Sequence, residues 1–187
     1  MIKSYEYKSC LLELLTGDIT EEITDVVVNA ANSRLAGGSG VDGAIHEAGG
    51  PEINEECAKI ITLQGECPTG ESVITSSGKM KCKYIIHTVG PIWSGGKNSE
   101  EFFLRKCFFN SLKLAANNGL KTISFPAIST GAYGYPVPQA AFVSIDEILR
   151  FIKKKPGLFR KIRIVLFSEN KFEEFSKALE RLKSKYH

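Results

Sequence analysis

The sequence predicts an α/β fold, a three-layer α/β/α sandwich around a mixed, largely parallel sheet. Short apolar, β-branched runs such as Val26-Val27-Val28 alternate with stretches of helical periodicity, the pattern of strands joined by crossover helices. Those runs are continuous, as strands buried on both faces of a parallel sheet require. The sheet is mixed because strand signals at residues 71–75 and 84–89 are separated only by the turn-rich SSGKMKC.

Taken in order, residues 9–15 (SCLLELL) read as a buried strand, and Thr16-Gly17-Asp18 turns the chain. Residues 18–22 read as a helix or turn start with acids at its N-terminal end, where the dipole favours them. A strand over 25–30 leads through a glycine cluster to helices at 41–48 and 52–61, punctuated by Gly49-Gly50-Pro51. After the strand pair, Gly90-Pro91 opens a loop through Trp93 to Ser99, which reads as the N-cap of a helix over 99–117. Thr122 to Phe125 is a strand, followed by the loop 129–136. An amphipathic helix over 138–154, a strand over 162–167 and a helix over 171–185 complete the chain.

Length and composition bound the function. At 187 residues with 43% hydrophobic and 24% charged residues, the chain is expected to be a single soluble domain over 1–187. No apolar run reaches the roughly 18 residues of a membrane span, and MIKSYEYKSC lacks a signal pattern. Five scattered cysteines without CxxC spacing suggest neither a disulfide framework nor a zinc site. Reduced, packed thiols in a cytoplasmic protein are the expectation. The net charge of +3 splits into +7 from Phe151 onward and −4 before it. The basic residues alternate with Phe172, Phe175, Leu179 and Leu182 at helical spacing, so they read as a solvated helix face rather than a nucleic-acid surface.

Ligands of open α/β sheets sit beyond the carboxyl ends of the strands. Gly38, Gly40 and Gly43 match GxGxxG by count, but NAANSRLA separates them from the strand, so the context of a dinucleotide fingerprint is missing. The glycines still let backbone approach a ligand, and the following helix offers free N–H groups to an anion. The loop Ser129-Thr130-Gly131-Ala132-Tyr133-Gly134 supplies a second set of small residues. Two such loops suit a diphosphate. Asn29 and Asn32 lie at a strand end, where amides either read ribose hydroxyls or cap a turn. Asp42, in the first turn of the helix, reads equally as a helix-start acid or as a general base. His46 and His87 have no neighbouring nucleophile in sequence and read as structural histidines.

With these residues the chain resembles the macro domain family. The resemblance rests on VVNAANSRLAGGSGVDGAIHEAGG (27–50), YIIHTVGPIW (84–93) and FPAISTGAYGYP (125–136), and it extends from LLTGDIT at residue 14 to the last helix. Val41-Asp42-Gly43-Ala44-Ile45-His46 is most similar to the MacroD-type branch, whose members remove ADP-ribose from acidic side chains and deacetylate O-acetyl-ADP-ribose. The resemblance implies a macro-domain-like sandwich, no cofactor and no metal. It implies that Asp18 and the Ile19 amide contact the adenine and that Phe167 lies against its ring. Ser129, Thr130, Gly131, Ala132 and Tyr133, with Ser39, Gly40 and Val41, would cradle the diphosphate. Asn32 would hold the distal ribose beside Asp42. The implied partners are ADP-ribose, O-acetyl-ADP-ribose or a mono-ADP-ribosylated protein, bound by a monomer. A reader module that binds ADP-ribose without turnover is the alternative. Two departures touch the site: Ser39 replaces one of four usual glycines, and Glu47 stands where a basic residue is common.

Overall fold

The computed structural model describes residues 1–186, so His187, the last residue of the expected domain, lies outside the described residues. Among the described residues, seven strands, five helices and a single 3-10 turn follow one another. They are β1 (Ile2–Tyr7), β2 (Cys10–Thr16), the 3-10 turn Ile19–Glu21, β3 (Val26–Ala31), α1 (Gly40–Gly49) and α2 (Pro51–Gln64). Then come β4 (Ser72–Ser76), β5 (Tyr84–Val89), α3 (Glu100–Asn117), β6 (Thr122–Phe125), α4 (Val137–Lys154), β7 (Lys161–Leu166) and α5 (Glu169–Lys183).

The sheet runs in the order β1-β2-β7-β6-β3-β5-β4. Its five inner strands are mutually parallel, and the edge strands β1 and β4 are antiparallel to their neighbours. The mixed, largely parallel sheet expected from the sequence is therefore present. The chain leaves β3 toward one edge and returns through β6 toward the other, so β3 and β6 flank a topological switch point. A ligand crevice is expected there, outside the carboxyl ends of the strands.

The larger core lies between the sheet and α3, α4 and α5, with Leu12, Leu14, Phe108, Phe125, Ile164 and Phe175 fully enclosed. Each such side chain contributes roughly 1.5–3 kcal/mol by leaving water. A smaller core under α1 and α2 packs Val27, Ile45, Ile53, Cys57 and Ile85. Across β2, β7 and β6 that same face carries Val165 and Leu15 at the edge of this core and a polar group beyond them. Glu13 and Ser124 stand in register with Arg163, and Arg163 donates to Glu22 from the segment after the 3-10 turn. Beside the second helical layer, Arg163 thus links Glu13 and Glu22 in an ion-pair group on this face of the sheet.

Two expectations need correction. The first strand, β1, was not anticipated. Its Lys3, Tyr5 and Tyr7 point inward but include a charge, and its hairpin turn is Lys8-Ser9 with φ of 47° and 63°. A turn with positive φ at both central residues is usually announced by Asn-Gly or Gly, and neither is present. The second correction concerns how Ser99 works: it is the N-cap of α3 as expected, but with φ of 60° its side chain makes no capping hydrogen bond. The Glu100 carboxylate instead ties down the preceding loop, accepting from the amides of Ser94, Gly96 and Asn98. Against the opposing effect of desolvation, hydrogen bonds from the Ser94, Glu100 and Asn98 amides and the Ser94 hydroxyl hold its pKa down at about 2. All five cysteines are free and buried, as reduced, packed thiols should be.

Candidate active site

The parallel register brings five connections to one edge of the sheet. Thr16 pairs with Leu166, and the Gly17 amide donates to the Leu166 carbonyl at 3.1 Å, so Asp18 and Phe167 emerge side by side. Phe167 is 89% exposed. An aromatic ring left in water at a strand end has no packing role, which makes it available to a planar ligand. Asp18 Oδ1 accepts from the Thr20 amide and hydroxyl, at 2.9 and 2.7 Å. The other carboxylate oxygen and the Ile19 amide have no partner among the described residues.

After β6 the backbone closes on itself. Thr130 returns its amide and hydroxyl to the Ala127 carbonyl, Tyr135 donates to Ser129, and Gly134 donates to Gly131. Ser129 adopts a φ of 65°. The amides of Gly131, Ala132 and Tyr133 find no acceptor among the described residues, so the loop is a concentration of unpaired donors. The Tyr133 carbonyl accepts from the Trp93 amide at 2.8 Å, tying this loop to residues 90–99. On the neighbouring strand, the amides of Gly40, Val41 and Asp42 open α1 and are equally unpaired. Two sets of free N–H groups at adjacent strand ends form an anion-binding edge.

Ser39 is the N-cap of α1 with φ −104° and ψ 176°, ordinary extended backbone that any residue adopts. Its replacement of glycine therefore imposes no strain. The glycine that sterics do require is Gly43, whose Cβ would lie 2.3 Å from the Gly38 carbonyl oxygen. Glu47 is exposed on α1 and makes no ion pair among the described residues.

Asn32 and Asp42 face each other across the glycine loop. Asn32 Nδ2 donates to the Gly37 carbonyl at 2.8 Å and lies 3.5 Å from Asp42 Oδ2. Its Oδ1 accepts from the Ala36 amide, so the side chain both shapes the loop and borders the carboxylate. A Cβ at Gly38 would sit 3.5 Å from Asp42 Oδ2 and 4.0 Å from Asn32 Nδ2. The absence of that atom leaves the space between them open.

Behind Asp42 the fold gathers residues whose convergence the sequence did not reveal. Asp42 Oδ1 accepts from Asn29 Nδ2 at 2.8 Å, and Asn29 Nδ2 lies 3.1 Å from His87 Nδ1. His46 Nε2 is 3.3 Å from Asp42 Oδ1 but poorly aligned for a hydrogen bond, so the contact is an ion pair. It raises the His46 pKa, against burial and with help from Asn54. His87 moves the opposite way, to about 4, because it is buried and faces the charge of His46. Both histidines were expected to be structural; the fold places them in direct or one-residue contact with Asp42. The i,i+4 spacing of Asp42 and His46 was a visible signal. The Asn29–His87 pairing depends on strand register and was not.

His46, Cys57 and His87 bring potential metal ligands within 4.8 Å of one another, although no spacing in sequence suggested it. Both nitrogens of His87 are engaged, His46 Nδ1 contacts Asn54 Oδ1, and burial pushes the Cys57 thiol up to about 11. A metal ion would have to dismantle the network that holds Asp42. A separate depression of about 380 Å³ is lined by Trp93, Tyr135, Phe142 and Arg181. It includes neither Asp42 nor Asn32.

A macro domain model matches residues 28–143 of the chain. The protein belongs to the macro domain family. It is 49% identical over 171 residues to a macro domain-containing protein of Caldanaerobacter subterraneus subsp. tengcongensis, covering 91% of this chain and 97% of that one. It is 47% identical over 168 residues to the O-acetyl-ADP-ribose deacetylase of Enterobacter cloacae subsp. cloacae, covering 90% and 93%. The Oceanobacillus iheyensis macrodomain with ADP superposes with a TM-score of 0.95 at 42% identity, over 99% of this chain and 98% of that one. The Trypanosoma brucei macrodomain in complex with ADP-ribose gives 0.82 at 36% identity, over 90% and 68%. The macro domain described here thus shares both sequence and α/β sandwich with proteins that hold adenosine diphosphates.

Proposed function

We propose that this macro domain binds ADP-ribose derivatives along the carboxyl edge of its sheet and hydrolyses an ester at the distal ribose. The observation that carries the reading is the placement of Asp42 Oδ2. It stands beside the Asn32 amide, over the Gly38 gap, at the end of a row of unpaired backbone donors. The adenine end is assigned to Asp18, Ile19 and Phe167. The diphosphate is assigned to the loops 39–41 and 129–133, whose unpaired amides at Gly40, Val41, Gly131, Ala132 and Tyr133 offer fixed donors to a doubly charged bridge.

Asn32 orients the distal ribose, and Asp42 Oδ2 accepts a hydrogen bond from a water aimed at the acyl carbon. The water oxygen bonds to that carbon, the acyl–oxygen bond to the ribose breaks, and the ribose oxygen takes a proton. Acetate and ADP-ribose leave when the substrate is O-acetyl-ADP-ribose. Holding water and ester in register supplies much of the rate, since it removes the entropic cost of their encounter. The curated relatives named O-acetyl-ADP-ribose deacetylase support this substrate. Glutamate- or aspartate-linked ADP-ribose presents the same bond type, a carboxylate ester of the distal ribose, and is the second substrate we assign.

The test is turnover of O-acetyl-ADP-ribose and of a glutamate-ADP-ribosylated protein, beside calorimetric titration with ADP-ribose. Asp42→Ala should lower turnover at least a hundredfold while the Kd for ADP-ribose changes less than fivefold. Tight binding by the unsubstituted protein with no release of either product would identify a reader module instead.

A further inference from the structure

A line of buried polar side chains runs beneath Asp42, across the sheet face that α1 and α2 cover. Thr75 carries a single hydroxyl proton and donates it to the Ser76 carbonyl at 2.9 Å. The same oxygen lies 2.9 Å from His87 Nε2, and with its own proton directed at the Ser76 carbonyl it is placed to accept from an Nε2–H. Burial holds His87 neutral, and a neutral imidazole protonated at Nε2 carries a bare lone pair on Nδ1. That lone pair faces Asn29 Nδ2 at 3.1 Å. Asn29 therefore turns its NH₂ group inward, giving one hydrogen to His87 and the other to Asp42 Oδ1 at 2.8 Å. The opposite amide orientation would set the Asn29 carbonyl against both a carboxylate oxygen and an imidazole lone pair.

Asn29 Oδ1, on the far side of the amide, finds no hydrogen-bond partner among the described residues. Asp42 Oδ1 is meanwhile held by the Asn29 hydrogen bond and lies 3.3 Å from His46 Nε2, while Oδ2 is the oxygen turned toward the gap beside Asn32 and Gly38.

We infer that His87 is a positioning residue for Asp42, acting through Asn29 and held in the required tautomer by Thr75. The inference rests on the ester-hydrolase reading of Asp42. A rigid carboxylate is what an acceptor that aims a water needs, and small misplacements of such groups are costly in rate.

Thr75→Val tests it, because valine keeps the shape and removes the hydroxyl that accepts from His87 Nε2. Long-range ¹H–¹⁵N NMR on the full chain reads the His87 tautomer directly, without reference to activity. The expected result is an Nε2–H imidazole in the unsubstituted protein and a shift toward Nδ1–H in Thr75→Val. With that shift, kcat on O-acetyl-ADP-ribose should fall roughly tenfold to a hundredfold, while KM and the Kd for ADP-ribose stay within threefold. Thr75→Ser, which restores a hydroxyl, should return both tautomer and kcat. The inference is overturned if unsubstituted His87 carries its proton on Nδ1, or if the tautomer shifts with kcat unchanged. It is also overturned if kcat, affinity and melting temperature fall together, since that marks a merely structural residue. Absence of turnover in the unsubstituted protein would overturn the hydrolase reading itself and this inference with it, a failure visible before any substitution is made.

Discussion

Asp42 and His46 stand one turn apart on α1, with Asp42 Oδ1 3.3 Å from His46 Nε2, while His87 lies behind them with its ring centroid 6.0 Å from that of His46. The two imidazoles titrate in opposite directions for this reason. The carboxylate favours charge on His46, and burial beside that charge disfavours it on His87.

Opposite shifts give opposite pH dependences. His46 has a folded pKa above its unfolded value, so its contribution is complete below about 6.5 and is lost as pH rises through the raised pKa. His87 falls from 6.5 to about 4. The folded state resists its protonation, so its contribution is present above 6.5 and is lost as pH drops toward 4. A shift of that size corresponds to something on the order of 3 kcal/mol. Urea unfolding of His46→Gln should show its deficit at pH 6 and little of it at pH 9. His87→Gln should flatten the loss of stability between pH 6.5 and 4; an unchanged slope there would mean that His87 is not buried neutral.

Phe167→Ala should separate binding from folding. The ring is exposed at the end of β7, so its removal should leave the melting temperature within about a degree. Base–aromatic stacking contributes roughly 1–3 kcal/mol, and the Kd for ADP-ribose should rise about tenfold or more. Equal affinity in calorimetry would remove Phe167 from the adenine site.

Gly38→Ala and Gly43→Ala should fail in different ways. A Cβ at 38 enters only the space beside Asp42 Oδ2 and Asn32 Nδ2, so stability should hold while kcat/KM on O-acetyl-ADP-ribose falls at least tenfold. A Cβ at 43 would collide with the Gly38 carbonyl at 2.3 Å. Overpacking of that kind costs about 1–3 kcal/mol, which thermal unfolding should register.

Glu100→Gln should loosen the loop over residues 94–98. The carboxylate accepts from three of its amides, and its pKa of about 2 lies below the ordinary 4.5. That contribution is present above 4.5 and is lost as pH falls toward 2. Amide hydrogen exchange at Ser94, Gly96 and Asn98 should quicken in Glu100→Gln, with exchange at the β3 amides unaltered.

The inner strands were legible because burial on both faces writes a continuous apolar run, as in Val26-Val27-Val28. The helices were legible from one-sided periodicity, as in α4. The strand β1 was not, since Lys8-Ser9 adopts a glycine-like turn and Lys3 sits on the inward face. Ser99 was legible as the N-cap position of α3, whereas its positive φ and missing capping hydrogen bond were not. Strand-end logic pointed to the loops after β3 and β6, and the motifs placed Asn32 and Asp42 among them.

Residue order alone thus pointed to the family and the layered α/β arrangement, and it singled out the strand-end loops to which we assign a diphosphate. These depend on local patterns of burial and on glycines in short segments. Tertiary structure decided how Asp42 is held. Asn29 and His87 are 58 positions apart and become neighbours only because β3 pairs with β5 in one register. Proton direction along Thr75, His87 and Asn29 follows from that contact geometry, and no local pattern of residues encodes it.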